Sequence, residues 1–301
     1  MRGGIRLRRS KHLNSFGREE KFLTDRSPPV EPLWQQGMNR TIMTFADMTP
    51  DRYPAILENA SARSRFLLVC EHASHAIPGR WGDLGLPEEL RQAHIAWDPG
   101  ALGLSRGLAR RLDAGLVHAP VSRLVYDCNR APDQPGAMAE RSEMHEIPGN
   151  RRLSPEERAA RTAAIYAPFH ADLRAEIVRR LAQGVPPVLV TIHSFTPVWH
   201  GKPRAVEFGI IHDHDPALAL AVLEESRDSG LVCGLNEPYS AADDVTHTLR
   251  LQALPYGLAN VMLEIRNDLI ATPEAEEAMA DRLAPILARA LGSLAAPAMA
   301  G

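Results

Sequence analysis

The chain has 301 residues, of which 45% are hydrophobic and 24% charged, with a formal net charge of −3. That length suits one large domain or two small ones around a sizeable core, and the charge balance asks for no nucleic-acid partner. No apolar run approaches the ~20 residues of a membrane span, so a soluble protein without a membrane partner is expected.

Residues 1–40 carry nine Lys/Arg against four Asp/Glu, a local +5 that leaves about −8 for the remainder. Hydrophobic periodicity is absent there and Pro28-Pro29 interrupts the stretch, so residues 1–45 read as a disordered basic extension. The lack of an apolar h-region argues against a secretory signal. Glu19, Glu20 and Asp25 also argue against a mitochondrial presequence, and Met38, Met43 and Met48 offer later start points. A single α/β domain is expected over residues 50–295.

Phe66–Cys70 reads as a buried strand, followed by helices over 87–96 and 100–112, the second with Leu102, Leu104, Leu108 and Leu112 near helical spacing. Short strands are predicted at 116–119 and 124–128. The Pro/Gly-rich segment 131–150 reads as a long loop with the character of a lid. Ser154 and Glu157 form a capping-box pattern with Pro155 at the first helical position. The helix they open is predicted to reach His170 and to continue, kinked or broken near Pro168, to Leu181. Further strands are predicted at 188–192, 207–212, 231–233 and 261–265, and helices at 216–227 and 273–291. This alternation predicts an α/β fold with a mostly parallel central sheet flanked by helices. Cys70, Cys128 and Cys233 show no C-x-x-C spacing and read as apolar fillers in a reducing, cytoplasmic setting, with a reactive thiol as the minor alternative.

The chemistry gathers at strand ends. His193 and Glu264 close the apolar runs in PPVLVTIHSFTP and LANVMLEIRND, and Glu71-His72 close the run in RFLLVCEHASHAIP. Open α/β sheets place their ligands at the carboxyl ends of strands, so three such ends offering imidazoles and carboxylates point to a metal hydrolase. Each residue also has an ordinary reading. A lone His72 or His193 can be a hydrogen-bonded loop histidine, and Asp98, ahead of Pro99, can be a helix N-cap. In SRLVYDCNR, Arg123, Asn129 and Arg130 make a carboxylate-binding device, or an ion pair with Asp127. Ser194 lacks a G-x-S-x-G context and reads as structural. Glu264 can be a base, a ligand or the partner of Arg266, and Tyr239 in NEPYS can be a turn residue.

Taken together and in order, EHAS…IP, HIAWDPGA, SRLVYDCNR, HSFTP, NEPY and EIRNDLI resemble the N-formylglutamate amidohydrolase family, from about residue 66 to about residue 270. That family is related to zinc carboxypeptidases and aspartoacylase-type deacylases. The resemblance implies a zinc carboxypeptidase-like (phosphorylase/hydrolase-like) α/β fold and one catalytic zinc per chain. It implies His72 and His193 as zinc ligands, Glu264 as general base, Arg123 at the developing oxyanion, Asn129 and Arg130 on the substrate α-carboxylate, and Tyr239 as a mobile tyrosine. Carboxypeptidases take a carboxylate ligand from His-x-x-Glu, whereas here His75 stands three residues after His72. That leaves the third ligand open. Because the family regularly has an Asp at the position of Asp98, and an acidic residue at position 71 only in part, the resemblance implies Asp98, with Glu71 as its alternative and His75 behind both. The implied partner is a small N-acyl amino acid, N-formyl-L-glutamate first, with a place in histidine degradation. Arg204 would meet the side-chain carboxylate, with Lys202 and Arg266 behind it. The alternatives are the same zinc chemistry on another N-acyl amino acid or short peptide, and a binding protein that keeps the fold without catalysis. Oligomeric state is not readable from the sequence.

Overall fold

The computed structural model describes residues 52–295, so the basic stretch over 1–45 lies outside the described residues. In chain order these residues form β1 (Ile56–Glu58), β2 (Phe66–Cys70), α1 (Glu88–Gln92), α2 (Ala101–Leu112), β3 (Gly115–His118), β4 (Arg141–Ser142), β5 (His145–Glu146), α3 (Pro155–Arg161) and α4 (Ala167–Ala182). They continue through β6 (Val188–Phe195), β7 (Val198–Trp199), β8 (Lys202–Pro203), β9 (Phe208–Ile211), α5 (Ala217–Glu225), β10 (Cys233–Leu235), α6 (His247–Gln252), β11 (Asn260–Arg266) and α7 (Pro273–Ala295).

The central sheet has seven strands in the order β1-β3-β2-β6-β11-β9-β10. Its middle block, β3, β2, β6 and β11, is parallel throughout. β1 joins antiparallel at one edge, and β9 runs antiparallel to β11 while β10 is parallel to β9. The parallel strands are continuous apolar runs because both of their faces are covered. Leu67, Val69 and Leu189 project into a core shared with Phe169, Leu173 and Ile177 of α4. Leu68, Val190 and Leu263 face the opposite core, with Leu104 and Leu108 of α2 and Leu283 and Leu287 of α7. Alternation along each strand thus feeds two helical layers. Among the described residues no helix is long and apolar enough to cross a membrane.

Several boundaries depart from the sequence reading. Segment 124–128 is not a strand but a buried turn: the amides of Val125 and Tyr126 both donate to the Ser122 carbonyl, and Ser122 Oγ accepts from Leu124 N at 3.2 Å. Its apolar residues are buried beside the sheet, where periodicity cannot separate a strand from a packed turn. The helix predicted over 87–96 contracts to α1, because Ala93 turns extended. The capping box of Ser154 and Glu157 is present, with Pro155 at the head of α3. Instead of a break at Pro168, a π turn at Thr162–Tyr166 joins α3 to α4. Pro168 has no N–H for the carbonyl of Ala164 four residues back, and Tyr53 N occupies that carbonyl at 2.8 Å. The loop over 131–150 carries the small β4–β5 hairpin. β1, the β7–β8 hairpin and α6 were not foreseen.

Candidate active site

Because β2, β6 and β11 are adjacent and parallel, their carboxyl ends reach the same edge of the sheet. Glu264 stands directly beside His193 in the β11–β6 register, and β2 on the other side of β6 delivers Glu71 and His72 just past its end. Asp98 arrives from the turn ahead of α2, anchored by its amide to the His72 carbonyl at 2.9 Å. Gly100 makes that turn at φ 79°, and a Cβ there would meet the Ile270 carbonyl oxygen at 2.3 Å, so only glycine fits.

Three donor atoms converge at this edge. Asp98 Oδ2 is 3.2 Å from His72 Nδ1 and 2.9 Å from His193 Nδ1, and the two Nδ1 atoms are 3.1 Å apart. These spacings are close to the ~3.4 Å edge of a tetrahedron with bonds of ~2.1 Å, the usual zinc geometry. His72, Asp98 and His193 form a buried group able to hold a metal ion. The outer nitrogens face carboxylates: His72 Nε2 is 2.7 Å from Asp127 Oδ1, and His193 Nε2 is 3.2 Å from Glu71 Oε2. An imidazole that donates its outer N–H to a carboxylate presents its inner lone pair to a metal. Asp98 is not a side-chain helix cap; its second oxygen accepts from Arg123 Nη1 at 3.1 Å. Arg123 also grips Asp127 Oδ2 at 2.9 Å, so one guanidinium bridges both carboxylates.

The electrostatics favour positive charge on the imidazoles. Four buried carboxylates, Glu71, Asp98, Asp127 and Glu264, surround the two imidazoles, and Arg123 is the guanidinium paired among them. Burial alone pushes the Asp98 carboxyl up, but the neighbouring His72 charge, bonds to both imidazoles and Arg123 hold it well below the usual range. Burial disfavours charged His193, yet Glu71 and Asp98 raise it well above the ordinary histidine value. His72 is raised as well: burial and Arg123 oppose its charge, and Asp127 and Asp98 prevail. Glu264 behaves oppositely. It is buried, its Oε2 has no hydrogen-bond partner among the described residues, and loss of solvent pushes it up to about 7 against the pull of His193.

These groups open into a cleft of about 670 Å³. His72, Asp98, Arg123, Asn129, Arg130, His193, Arg204, Tyr239 and Glu264 all line it, as does Lys202. Asn129 is held by the loop and first turn of α6, its amide donating to the Val245 carbonyl and its Oδ1 accepting from Thr248 N. Arg130 donates to the Asp243 backbone carbonyl at 2.9 Å. Arg204 donates to Tyr239 Oη at 2.9 Å, and its guanidinium carbon lies 4.8 Å and 4.9 Å from the ring centres of Trp199 and Tyr239. Gly136, Ala139, Ser142 and Glu143 of the 131–150 loop contribute to the wall, and Glu143 bonds His94 Nε2 at 2.7 Å.

Three candidates sit elsewhere. Glu71 lies behind His193 rather than in the cleft wall. His75 packs edge-on against Trp97 with ring centres 5.0 Å apart, outside the donor group. Arg266 is committed to Glu207 and Asp268 and does not line the cleft. Ser194 is structural, its hydroxyl donating to the Pro99 carbonyl at 2.8 Å. Cys70 and Cys128 are buried, and burial pushes both thiols well up, away from reactivity. The sequence reading missed Asp127 as the partner of His72 and Trp199 as a wall of the Arg204 site; Asp127 had seemed only an arginine's partner.

A mixed α/β sheet that gathers buried imidazoles and carboxylates at the ends of its parallel strands has the architecture of a hydrolase. The sequence profile of the N-formylglutamate amidohydrolase family matches residues 64–271. A gene product from Agrobacterium tumefaciens of known structure is 51% identical, with a TM-score of 0.79 over 80% of this chain and 96% of its own. An N-formylglutamate amidohydrolase from Ralstonia eutropha shares the fold at 19% identity, with a TM-score of 0.60 over 80% of this chain and 98% of its own. A comparison with curated proteins finds no significant match. The chain belongs to the N-formylglutamate amidohydrolase family and is a hydrolase acting on amide C–N bonds.

Proposed function

We propose that the chain is a zinc-dependent hydrolase of N-acyl amino acids, with N-formyl-L-glutamate as the foremost substrate and formate and glutamate as products. The observation that carries this reading is the convergence of His72 Nδ1, His193 Nδ1 and Asp98 Oδ2 beside Glu264, whose buried Oε2 has no hydrogen-bond partner among the described residues. His72, His193 and Asp98 would hold the zinc, which when bound would supply Lewis acidity for a carbonyl and lower the pKa of water toward ~7. Glu264 takes the proton of the attacking water and passes it to the leaving nitrogen. Arg123 holds Asp98 and Asp127 in place and lends positive charge to the carbonyl oxygen as it becomes negative. Asn129 and Arg130 meet the α-carboxylate. Arg204, oriented by Tyr239, meets the side-chain carboxylate, with Lys202 as a second cation. The three free thiols suit a reducing cytoplasm.

Family membership supports the formylglutamate assignment. The size of the cleft supports a second reading, the same chemistry on a bulkier acyl group. A substrate of about a dozen non-hydrogen atoms leaves much of the roughly 670 Å³ unfilled. The test is a panel of N-formyl-, N-acetyl- and N-succinyl-glutamate and N-formylalanine, offered to the full chain with added zinc. N-formylglutamate is expected to give the highest kcat/KM; preference for the succinyl compound would favour the second reading, and no turnover of any member would overturn both.

A further inference from the structure

We infer that Glu71 is a positioning residue that sets which nitrogen of His193 is offered to the metal, and is not itself a ligand; this rests on the zinc reading above. The chain leaves β2 so that neighbouring Glu71 and His72 serve different histidines: His72 enters the donor triangle, while Glu71 reaches the far side of His193. Glu71 Oε2 stands 3.2 Å from His193 Nε2, and His193 Nδ1 points the other way, 2.9 Å from Asp98 Oδ2. With the proton on Nε2, the N–H faces a carboxylate and the Nδ1 lone pair faces the triangle. With the proton on Nδ1, a hydrogen would occupy the triangle and a bare lone pair would face the Glu71 anion. The carboxylate therefore selects the tautomer that ligates.

Among the described residues, neither Glu71 oxygen nor His193 Nε2 has an aligned hydrogen bond, and Glu71 is only 1% exposed. A buried carboxylate with no aligned donor calls for an explanation beyond packing, and orientation of a ligand supplies one. The Thr248 hydroxyl lies near Glu71 without an aligned hydrogen bond to it. The backbone amide of Thr248 holds Asn129 Oδ1 at 2.9 Å. Thr248 thus adjoins both the support of the metal ligand and the residue proposed to meet the substrate α-carboxylate.

The test measures zinc affinity of the full chain by competition with a chromophoric chelator, together with the His193 tautomer by ¹⁵N NMR of the zinc-loaded protein. Glu71→Leu is expected to keep one zinc at saturation, to bind it roughly ten- to a hundredfold more weakly, and to lose the Nε2–H signature. Glu71→Gln, which keeps the shape and an acceptor, is expected to fall between Leu and wild type, and it carries the test if the Leu variant does not fold. Affinity of both variants within twofold of wild type with the tautomer unchanged would overturn the inference. Loss of zinc stoichiometry in the Glu71 variants alongside its retention in Asp98→Ala would overturn it the other way, making Glu71 the ligand. Wild-type protein that binds no zinc would instead defeat the underlying metal reading.

Discussion

At the scale of single residues, Glu264 concentrates the functional claim. Glu264→Gln removes the proton acceptor while leaving His72, Asp98 and His193 intact. Turnover is expected to fall by about 10²–10⁴ with zinc content, measured by elemental analysis, unchanged. The same carboxyl has a stability cost that can be measured without substrate. Its folded value of about 7 lies above its ordinary 4.5, so the folded chain holds this proton more tightly than the unfolded chain. The zinc-free protein therefore feels no penalty below pH ~4.5, loses stability as pH rises toward 7, and levels off above it. The full penalty is about 3 kcal/mol. In urea unfolding, zinc-free Glu264→Gln should exceed wild type by up to that amount near pH ~8 and match it near pH ~4. A difference independent of pH would show that Glu264 is not held protonated by burial. Arg204→Ala is expected to raise KM for N-formylglutamate roughly tenfold to a thousandfold, since it leaves a substrate carboxylate unpaired. It should change KM for N-formylalanine far less; equal effects on both would take Arg204 out of side-chain recognition. His193 and Glu264 stood out in sequence because each ends an apolar strand run. Which side of His193 the Asp98 and Glu71 carboxylates each reach did not, because it is set by tertiary placement.

At the scale of elements, the site depends on close approaches that side chains would block. Gly209 on β9 lies under the segment leading to Tyr239: a Cβ there would meet the Glu237 carbonyl oxygen at 2.2 Å and Glu264 Cβ at 3.1 Å. Gly209→Ala should push that segment outward and loosen the Tyr239–Arg204 contact. The expected signature is KM for N-formylglutamate raised several-fold with one zinc still bound; unaltered kinetics would mean that the segment does not set the Arg204 site. The long parallel strands were legible because strands buried on both faces must be apolar along their length. The capping box of Ser154 was legible because its chemistry is local. β1 and the β7–β8 hairpin were missed, having three residues and two residues per strand, too short for periodicity to register. α6 was missed for a different reason: its place is set by tertiary bonds such as Thr248 N to Asn129 Oδ1. The run over 124–128 was misread because burial, not strand pairing, accounts for its apolar residues.

At the scale of the whole molecule, the parallel block makes the chemistry possible by bringing the ends of β2, β6 and β11 to one edge. In the metal-free chain the buried carboxylates hold protons on His72 and His193, and a bound dication would take the place of those protons. Zinc at a thousandfold over its Kd should stabilise the fold by about 4 kcal/mol, visible as a higher Tm that a chelator reverses. A Tm indifferent to zinc would mean that the donor triangle does not bind it. The most direct measurement of the central claim is formate release from N-formyl-L-glutamate by chelator-stripped full-length protein, titrated with zinc. The expected result is negligible turnover without metal and activity that rises to a plateau at one zinc per chain. A rate indifferent to zinc, or no formate at any zinc level from folded protein, would contradict it.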